Sequence, residues 1–470
     1  MAERYDLPAP PVALFPDAAQ GARTDDWLTA QIRLALARIN QGSVMPTVDL
    51  ARFRQELAAL DFAAPMAAEA LLSWTLAQLE QGTVHMTHPR YFGLFNPAPT
   101  APAQWADRIA GAFNPQLAST GSSPVPVEIE AHVIRAMASR AGLPTGSVGH
   151  FTTSGSEANY TALICALTHA NPRFGDDGVR AFAGPVALYT SADCHPAWSK
   201  IAHQAGVGRH ALRLVPTDGS GRLDALALEK AVQADKAKGV TPVLIAATAG
   251  TTGGGMIDPL PACARLCAAQ GIWFHVDAAW GGAALCSDRL RGLLSGIELA
   301  DSITIDAHKW FATTMGCGMF LVRHGAVLSE AFRVAADFMP SSAISTDPYL
   351  NTVQWSRRFL GLRLFLSLGM AGWQGFAAHV ERGVAVIAQV RERLVGRGWT
   401  VANDSSLAVL CVEPPRGGPA VRDIVRRTLD SGRAWVARST FEGREVVRIC
   451  ATHGQCTLAD VETLVSVLTG

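Results

Sequence analysis

The chain has 470 residues, of which 49% are hydrophobic and 17% are charged, with 40 basic and 40 acidic side chains. Because basic and acidic side chains are equal in number, the composition does not favour nucleic acid or an anionic membrane as a partner. The first residues carry acids and prolines where a secretory signal needs a basic start and an apolar run, and no apolar run approaches the ~20 residues that span a bilayer. We therefore expect a soluble, cytoplasmic protein.

The nine cysteines form no regular framework, which indicates free thiols in a reducing compartment. Cys263 and Cys267 lie close together in a helix-like run, but no second pair has the spacing of zinc ligands. We interpret both as small core residues and predict no metal site.

Residues 1–90 are predicted to form an N-terminal arm followed by helices. Residues 1–23 are rich in proline and alanine and are expected to be extended, and Thr24 is the candidate N-cap of the first helix. Two further helices are predicted over residues 49–60 and 66–82.

From about residue 125 the chain alternates between helix-like segments and short, continuously apolar segments. Continuously apolar strands are typical of parallel sheets that are covered on both faces. The pattern predicts a doubly wound α/β domain over residues 91–375, with a mostly parallel sheet whose ligands gather at the carboxyl ends of the strands. The predicted strands are residues 186–191, 242–250, 272–279 and 302–307, and the predicted helices are residues 128–142 and 157–170.

Residues 354–398 are predicted to form two long helices, after which the pattern changes. We predict a small α+β domain over residues 376–470. Its segments are strand-like at residues 407–415 and 444–452, and helix-like at residues 420–432 and from Thr457.

Polar side chains follow four of the predicted strands, at the edge where such sheets bind ligands. Each one alone has an ordinary explanation as a helix cap or a surface residue. A group of four at one edge favours a ligand site. The side chains are His195 after the first strand, Thr248 and Thr251 after the second, Asp277 beside Ala279 after the third, and His308 and Lys309 after the fourth.

An anion site is predicted where residues 153–156 lead into a helix that begins near Glu157. The first N–H groups of a helix lack acceptors and the helix dipole is positive there, so this turn suits a phosphate. Gly155 permits close approach, and the hydroxyls of Ser154 and Ser156 can donate. The alternative is a plain capping box, because Ser154 and Glu157 have the S-x-x-E spacing.

A phosphate cradle, a buried carboxylate, an overlying histidine and a lysine together fit pyridoxal 5'-phosphate. Lys309 would form the Schiff base, which requires a desolvated, unprotonated amine. Asp277 would keep the pyridinium nitrogen protonated, so that the ring can accept the electron pair released at the substrate Cα. His195 would lie on one face of the ring and Ala279 on the other.

The motifs TSGSEAN, DCH, HVDAAWGG and DAHKW, in this order, resemble those of the group II pyridoxal-phosphate amino-acid decarboxylases. The resemblance covers most of the chain, from about residue 88 to about residue 368. It implies an aspartate-aminotransferase-like fold (fold type I), an amino-acid substrate and pyridoxal phosphate as cofactor. It also implies a homodimer with the active site at the subunit interface, in which the N-terminal helices wrap the partner.

The resemblance assigns roles to residues at matching positions. Lys309 matches the lysine that holds the cofactor, and His308 matches the residue near the phosphate and the imine. Asp277 matches the partner of the pyridinium nitrogen, and His195 matches the stacking histidine that also touches the substrate carboxylate. The other matches are Gly155 and Ser156 in the phosphate-binding turn, Thr251 near the ring, Arg357 as a ligand of the substrate α-carboxylate in some members, and Phe95, Asn96 and Pro97 in the side-chain pocket.

Two positions depart from the family pattern. Asp306 stands where the aromatic decarboxylases commonly have asparagine, and an acid would repel the phosphate unless it were protonated or turned away. Phe338 aligns with the tyrosine of the mobile catalytic loop that protonates Cα, and phenylalanine has no proton to give. In plant relatives this exchange marks aldehyde synthases. Tyr349 is a candidate substitute acid, but the adjacent Pro348 favours a structural role.

We expect decarboxylation of an L-amino acid, aromatic or otherwise large, through Lys309. The alternative is decarboxylation-dependent oxidative deamination to an aldehyde, ammonia and hydrogen peroxide, because of Phe338. A non-catalytic protein that binds pyridoxal phosphate is disfavoured, since all the ring-contacting residues are present. Retro-aldol cleavage and transamination stay open, because pocket geometry decides which bond at Cα breaks.

Overall fold

The computed structural model describes residues 11–334 and 347–470, so Phe338 lies outside the described residues. The first part of the chain is helical. Its helices are α1 (Ala18–Gln41), α2 (Leu50–Ala58), α3 (Ala68–Gly82), α4 (Ala101–Phe113) and α5 (Pro124–Arg140). The helices predicted over residues 49–60 and 66–82 are thereby confirmed as α2 and α3.

The first helix begins earlier than predicted. Asp17 is its N-cap, and Oδ1 of Asp17 accepts a hydrogen bond from the backbone N–H of Gln20 at 2.8 Å. Thr24 lies inside the helix, where its hydroxyl donates to the carbonyl of Gln20. The predicted N-cap at Thr24 is therefore wrong, and so is the extended conformation predicted for residues 18–23. An alanine-rich run directly after an aspartate already has a cap and good helix formers.

Seven strands form the large sheet of the middle region. They are β1 (Val148–Thr152), β2 (Val186–Ser191), β3 (Leu212–Val215), β4 (Thr241–Thr248), β5 (Trp273–Asp277), β6 (Ser302–Asp306) and β7 (Gly318–Val322). The helices of this region are α6 (Gly155–Ala170), α7 (Phe174–Asp177), α8 (Ala197–Gln204), α9 (Ala225–Ala237), α10 (Leu260–Gln270), α11 (Gly325–Ala331) and α12 (Leu362–Val395).

The strand order is β1–β7–β6–β5–β4–β2–β3. The strands from β6 to β3 in this order pair in parallel, and β7 is antiparallel to both β6 and β1. The predicted mostly parallel sheet is confirmed, and the four predicted strands correspond to β2, β4, β5 and β6. Nearly every residue of these four strands is buried, which explains their continuous apolar sequence.

The register of the parallel strands brings their polar ends together. Thr248 at the end of β4 lies opposite Asp277 at the end of β5, and Asp277 lies opposite Thr304 of β6. The first turn of α6 follows β1 and lies against Asp306 at the end of β6, because a Cβ on Gly155 would lie 2.7 Å from Oδ2 of Asp306. One sheet edge therefore carries all of the predicted polar strand ends, including the His195 loop that follows β2.

The two long helices predicted within residues 354–398 correspond to α12, which is interrupted once. Gly372 has φ 61° and ψ 178°, outside the helical region, so the helix bends there. The left-handed φ at this position explains the glycine. Among the described residues, no helix combines the length and apolar character needed to cross a membrane.

A second sheet of four strands follows α12, in the order β10–β11–β9–β8, and all of its pairs are antiparallel. One apolar cluster includes buried residues of both sheets, such as Ile305 and Val409. The domain boundaries at residues 90/91 and 375/376 stay a prediction. The elements of this last region are β8 (Thr400–Val401), β9 (Val409–Glu413), α13 (Val421–Asp430), β10 (Ala437–Phe441), β11 (Arg444–Cys450) and α14 (Leu458–Thr469).

A buried ion pair ties the segment before α12 to α5 and β1. Nη2 of Arg357 lies 2.6 Å from Oε2 of Glu130, and both side chains are almost fully buried. Nη1 of Arg357 donates to the carbonyl of Phe151 in β1, and the second carboxylate oxygen of Glu130 accepts from the N–H of Gly361. Arg357 therefore joins three parts of the fold.

We expect Arg357→Met to lower the free energy of unfolding by about 3–5 kcal/mol, because it leaves the Glu130 charge buried without its partner. The midpoint of urea unfolding, followed by circular dichroism, measures the effect. Arg358→Met is the matched control, since the Arg358 side chain is 58% exposed and its loss should cost less than about 1 kcal/mol. Equal losses in the two variants would contradict a structural role for the buried pair.

Candidate active site

A cavity of about 200 Å³ lies at the carboxyl ends of β4, β5 and β6 and at the start of α6. It collects most of the residues that the sequence predicts for the site. The predicted residues that line it are Phe95, Ser154, Gly155, Ser156, His195, Thr248, Asp277, Ala279, His308 and Lys309. Asn159, Trp280 and Asp306 also line it.

The Lys309 side chain enters this cavity from the turn after β6. Its Nζ lies 2.9 Å from Oδ2 of Asp306, and only 3% of the Asp306 side chain is exposed. The ring of His308 is held by the backbone of Cys317, whose N–H and carbonyl lie 3.2 and 3.0 Å from Nδ1. Lys309 is thus an inward-facing amine with a carboxylate partner.

Asp306 lies between Lys309 and the first turn of α6. The ion pair with Lys309 accounts for Oδ2, whereas Oδ1 is buried and has no hydrogen-bond partner among the described residues. The positive end of the α6 dipole favours an anion at this position. Asp306 therefore lies beside the proposed phosphate turn, with Lys309 as its ion-pair partner.

The Asp277 carboxylate is buried and accepts two hydrogen bonds. Nδ2 of Asn159 donates to Oδ2 at 2.8 Å, and the backbone N–H of Ala279 donates to Oδ1 at 3.1 Å. Hydrogen-bond donors of this kind stabilise the charged form of a carboxylate. Asn159 was not among the predicted site residues, although its position one turn into α6 faces the sheet edge.

His195 lies at the mouth of the cavity. Its Nδ1 accepts a hydrogen bond from the backbone N–H of Ala197 at 3.2 Å, so the neutral ring carries its proton on Nε2. Desolvation lowers the pKa of His195 and outweighs the opposite effect of Asp277. At neutral pH the ring is therefore uncharged, with an N–H to donate.

The α6 turn is not closed by the capping box that the sequence allowed. The Ser154 side chain makes no capping hydrogen bond. Glu157 instead accepts from the N–H and the hydroxyl of Thr153, at 2.8 and 2.6 Å. The capping-box alternative is wrong because Glu157 turns back to Thr153, and the first N–H groups of α6 keep no intrahelical acceptor.

Four predicted residues do not line this cavity. Thr251 is fully buried, and its hydroxyl accepts from the N–H of Met256 inside the turn after β4, whereas Thr248 and Thr252 line the cavity. The Arg357 guanidinium is held by Glu130 and Phe151, so the structure does not bring it to the cavity. Asn96 and Pro97 line a different cavity.

The second cavity has a volume of about 420 Å³ and adjoins the first, because His308 lines both. Among the described lining residues, the one ionisable residue other than histidine is Glu80, which pairs with Arg38 at 2.7 Å. The rest of its lining is mainly apolar. The apolar residues are Ile32, Ala35, Leu36, Ile39, Leu76, Leu79, Val84, Met86, Pro97, Pro99 and Met315.

Arg448 of β11 is a further polar residue that the sequence analysis missed. Its Nε and Nη1 donate to the carbonyls of Thr252 and Gly93, and the guanidinium lies 4.7 Å from the centre of the Phe95 ring. Nη2 is buried and has no hydrogen-bond partner among the described residues. Since Phe95 and Thr252 line the first cavity, an unpaired cationic donor lies beside it.

The residues present fit pyridoxal phosphate. The α6 turn offers free N–H groups and hydroxyls for a phosphate, Lys309 offers an amine for the aldehyde, and Asp277 offers a carboxylate for the ring nitrogen. The hydroxyl of Thr248 lines the cavity and has no partner among the described residues, so it is available to a ligand.

Comparison with known proteins identifies the family. The model of the pyridoxal-dependent decarboxylase conserved domain matches residues 54–411, and the chain belongs to this family. It is a pyridoxal-phosphate-dependent carboxy-lyase, and pyridoxal phosphate is its cofactor.

Relatives within the family carry different names. The chain is 30% identical to tryptophan decarboxylase 1 of Oryza sativa subsp. japonica, over 86% of this chain and 84% of the relative. It is 32% identical to the cysteine sulfinic acid decarboxylase of Mus musculus, over 70% of this chain and 68% of the relative. The crystal structure of Oryza sativa TDC with PLP and tryptamine superposes with a TM-score of 0.88 at 27% identity, covering 97% of this chain and 98% of that one. The predicted aspartate-aminotransferase-like fold is thereby confirmed.

We expect Gly155→Ala to weaken pyridoxal phosphate binding about tenfold, because the new Cβ would meet Asp306 at 2.7 Å and force the turn or the carboxylate to move. Spectrophotometric titration of the cofactor measures the Kd. Gly175→Ala is the matched control, since nothing lies within 4 Å of its Cβ position. An unchanged Kd for Gly155→Ala would show that the α6 turn does not hold the cofactor.

Proposed function

We propose that this carboxy-lyase removes the α-carboxylate of an L-amino acid with an aromatic side chain. The observation that carries the proposal is the adjacency of two cavities through His308. One contains Lys309, Asp277 and the α6 turn, and the other is large and mainly apolar.

In the first cavity each residue has one task. Lys309 anchors the cofactor's aldehyde, the α6 turn with Gly155 and Ser156 binds its phosphate, and Asp277 keeps its ring nitrogen protonated. When bound, pyridoxal phosphate supplies an electron sink for the electron pair of the Cα–carboxylate bond. His195 donates its Nε2 proton at the cavity mouth, toward the substrate carboxylate or Cα.

Arg448 is the proposed ligand of the substrate α-carboxylate, in place of Arg357. A guanidinium with one free N–H group beside the cavity suits a carboxylate, and a charged, hydrogen-bonded partner favours its binding. Arg357 is held away by Glu130 and Phe151, which accept from its two terminal nitrogens, and it is not among the described residues that line either cavity.

The second cavity favours an aromatic substrate over an acidic one. An indole or phenyl ring that entered this cavity would move from water to an apolar surface. This transfer favours binding by about 25 cal/mol per Å² of apolar surface buried. An acidic side chain there would meet Glu80 and no lysine or arginine among the described lining residues. Of the two relatives, the tryptophan decarboxylase is thus the better guide to the substrate.

Carbon dioxide release from a panel of L-amino acids tests the proposal. We expect tryptophan, tyrosine or phenylalanine to give a kcat/KM at least about tenfold above that of glutamate or cysteine sulfinate, which corresponds to ~1.4 kcal/mol of selective binding. Leu36→Asp should erase much of this preference, whereas Leu34→Asp is the control, since Leu34 is exposed and does not line the cavity. Preference for acidic substrates would overturn the assignment. Lys309→Ala should abolish release from every substrate.

A second candidate function rests on Phe338, which lies outside the described residues. None of the described residues that line either cavity is a tyrosine, and Tyr349 is buried against Trp355 with its ring 4.8 Å away. Without a tyrosine to protonate Cα, the amino acid, dioxygen and water would give the aldehyde, carbon dioxide, ammonia and hydrogen peroxide.

Simultaneous assay of amine, aldehyde and peroxide separates the two functions. We expect Phe338→Tyr to move the product ratio toward the amine, because it restores an acidic hydroxyl to the predicted loop position. Phe338→Leu is the matched control without a proton to give. A wild-type protein that forms amine alone, without peroxide, would reject the aldehyde alternative, and an unchanged ratio in Phe338→Tyr would contradict the position assigned to Phe338.

A further inference from the structure

A chain of buried hydrogen bonds runs from β5 and β6 to the Asp277 carboxylate. Nε1 of Trp273 donates to Oγ of Ser302 at 2.8 Å, and Oγ of Ser302 lies 2.8 Å from Nδ1 of His275. Nε2 of His275 lies 3.0 Å from Oδ1 of Asn159, whose Nδ2 donates to Asp277. All of these side chains are at most 5% exposed.

The chemistry of the end groups fixes the direction of every bond in this chain. The Asp277 carboxylate only accepts, so Asn159 must present its amide N–H to it and its carbonyl to His275. His275 must then carry its proton on Nε2, which leaves Nδ1 as an acceptor. The Ser302 hydroxyl therefore donates to Nδ1 and accepts from the indole of Trp273, which is a donor only.

The charge state of His275 agrees with this arrangement. Burial lowers the pKa of His275 to about 4, although the nearby Asp277 acts in the opposite direction. The ring is therefore neutral at physiological pH, with one donor and one acceptor nitrogen. The hydroxyl of Thr304 lies 3.4 Å from Nε2 and adds a second acceptor on the same side.

We infer that Asn159, His275 and Ser302 are positioning residues that hold Asp277 ionised and correctly turned toward the cofactor's ring nitrogen. This inference rests on the proposed role of Asp277. The hydrogen-bond chain places its last donor, Nδ2 of Asn159, at Oδ2 of Asp277. The backbone N–H of Ala279 donates to Oδ1 of the same carboxylate. Both oxygens are thus fixed by donors, which favours the carboxylate over the carboxylic acid and keeps the ring nitrogen protonated.

Hydrogen bonds that served only to stabilise the core would not need to end at a carboxylate that lines the cavity. Polar groups in a core are costly unless all of them are satisfied, and apolar residues could fill the same space between α6 and the sheet. Here the donors run one way and terminate on the carboxylate that lines the cavity. The arrangement resembles the outer partners that orient the ligands of metal sites, whose loss typically weakens binding by 10- to 100-fold.

The test uses the holoenzyme with pyridoxal phosphate labelled with ¹⁵N in its ring. The ¹⁵N chemical shift reports the protonation of the ring nitrogen, and spectrophotometric titration reports the Kd. We expect Asn159→Leu and Ser302→Ala to move the shift toward the unprotonated value at pH 8 and to weaken binding about tenfold. Ser302→Thr, which keeps the hydroxyl, should restore both values.

Two controls make the outcome unambiguous. Thr161→Val removes a buried hydroxyl from the same helix, where it donates only to the Glu157 carbonyl, and should leave the shift and Kd unchanged. Asp277→Asn should move the shift; if it does not, the proposed role of Asp277 fails. If Asp277→Asn moves the shift but Asn159→Leu and Ser302→Ala do not, the positioning chain is overturned while the proposed function stands. Should Asn159→Leu fail to fold, Ser302→Ala alone decides.

Discussion

A charge that is removed from water needs a partner, and this constraint organises the edge of the sheet where β4, β5 and β6 end. The strands themselves are buried and mostly apolar, and the charged groups of the site lie where the strands end. Asp306 is balanced by Lys309 at 2.9 Å, and Asp277 is balanced by the donors of Asn159 and Ala279. The cavity therefore contains charged groups that are already held in place, as catalytic groups must be to act without reorganisation.

The sequence was sufficient to predict the buried strands and the charged groups at their ends. Buried parallel strands have continuous apolar sequences, and their polar ends are visible as Asp277 and Lys309. The sequence was insufficient where two neighbouring side chains are alike and the fold decides which of them faces the cavity. Thr251 and Thr252 are adjacent, yet the first is buried with its hydroxyl bonded to the N–H of Met256, whereas the second lines the cavity. The start of α1 was missed because the proline-rich residues before Asp17 masked its cap.

Long-range partners were the other source of error. Nothing local to Arg357 indicates that Glu130, more than 200 residues earlier, would capture its guanidinium. Arg448 belongs to the second sheet, and its hydrogen bonds to Thr252 and Gly93 place it beside the cavity, a position that its local sequence does not indicate. Asn159 looks like any polar residue of a helix until the fold sets it between His275 and Asp277. The homodimer implied by the resemblance concerns a second chain and stays a prediction.

The two carboxylates at this edge have different partners, and this difference would favour one orientation of the cofactor. Asp306 has a cation as its partner, whereas within the described part of the chain Asp277 has neutral donors and no ion-pair partner. Asp277 would thus be available to a cationic ring nitrogen, and the N–H groups at the start of α6 would be available to a phosphate. A ligand with a positive end and an anionic end can satisfy both only in one orientation. Lys309, which lines the same cavity, would then hold the aldehyde of that ligand.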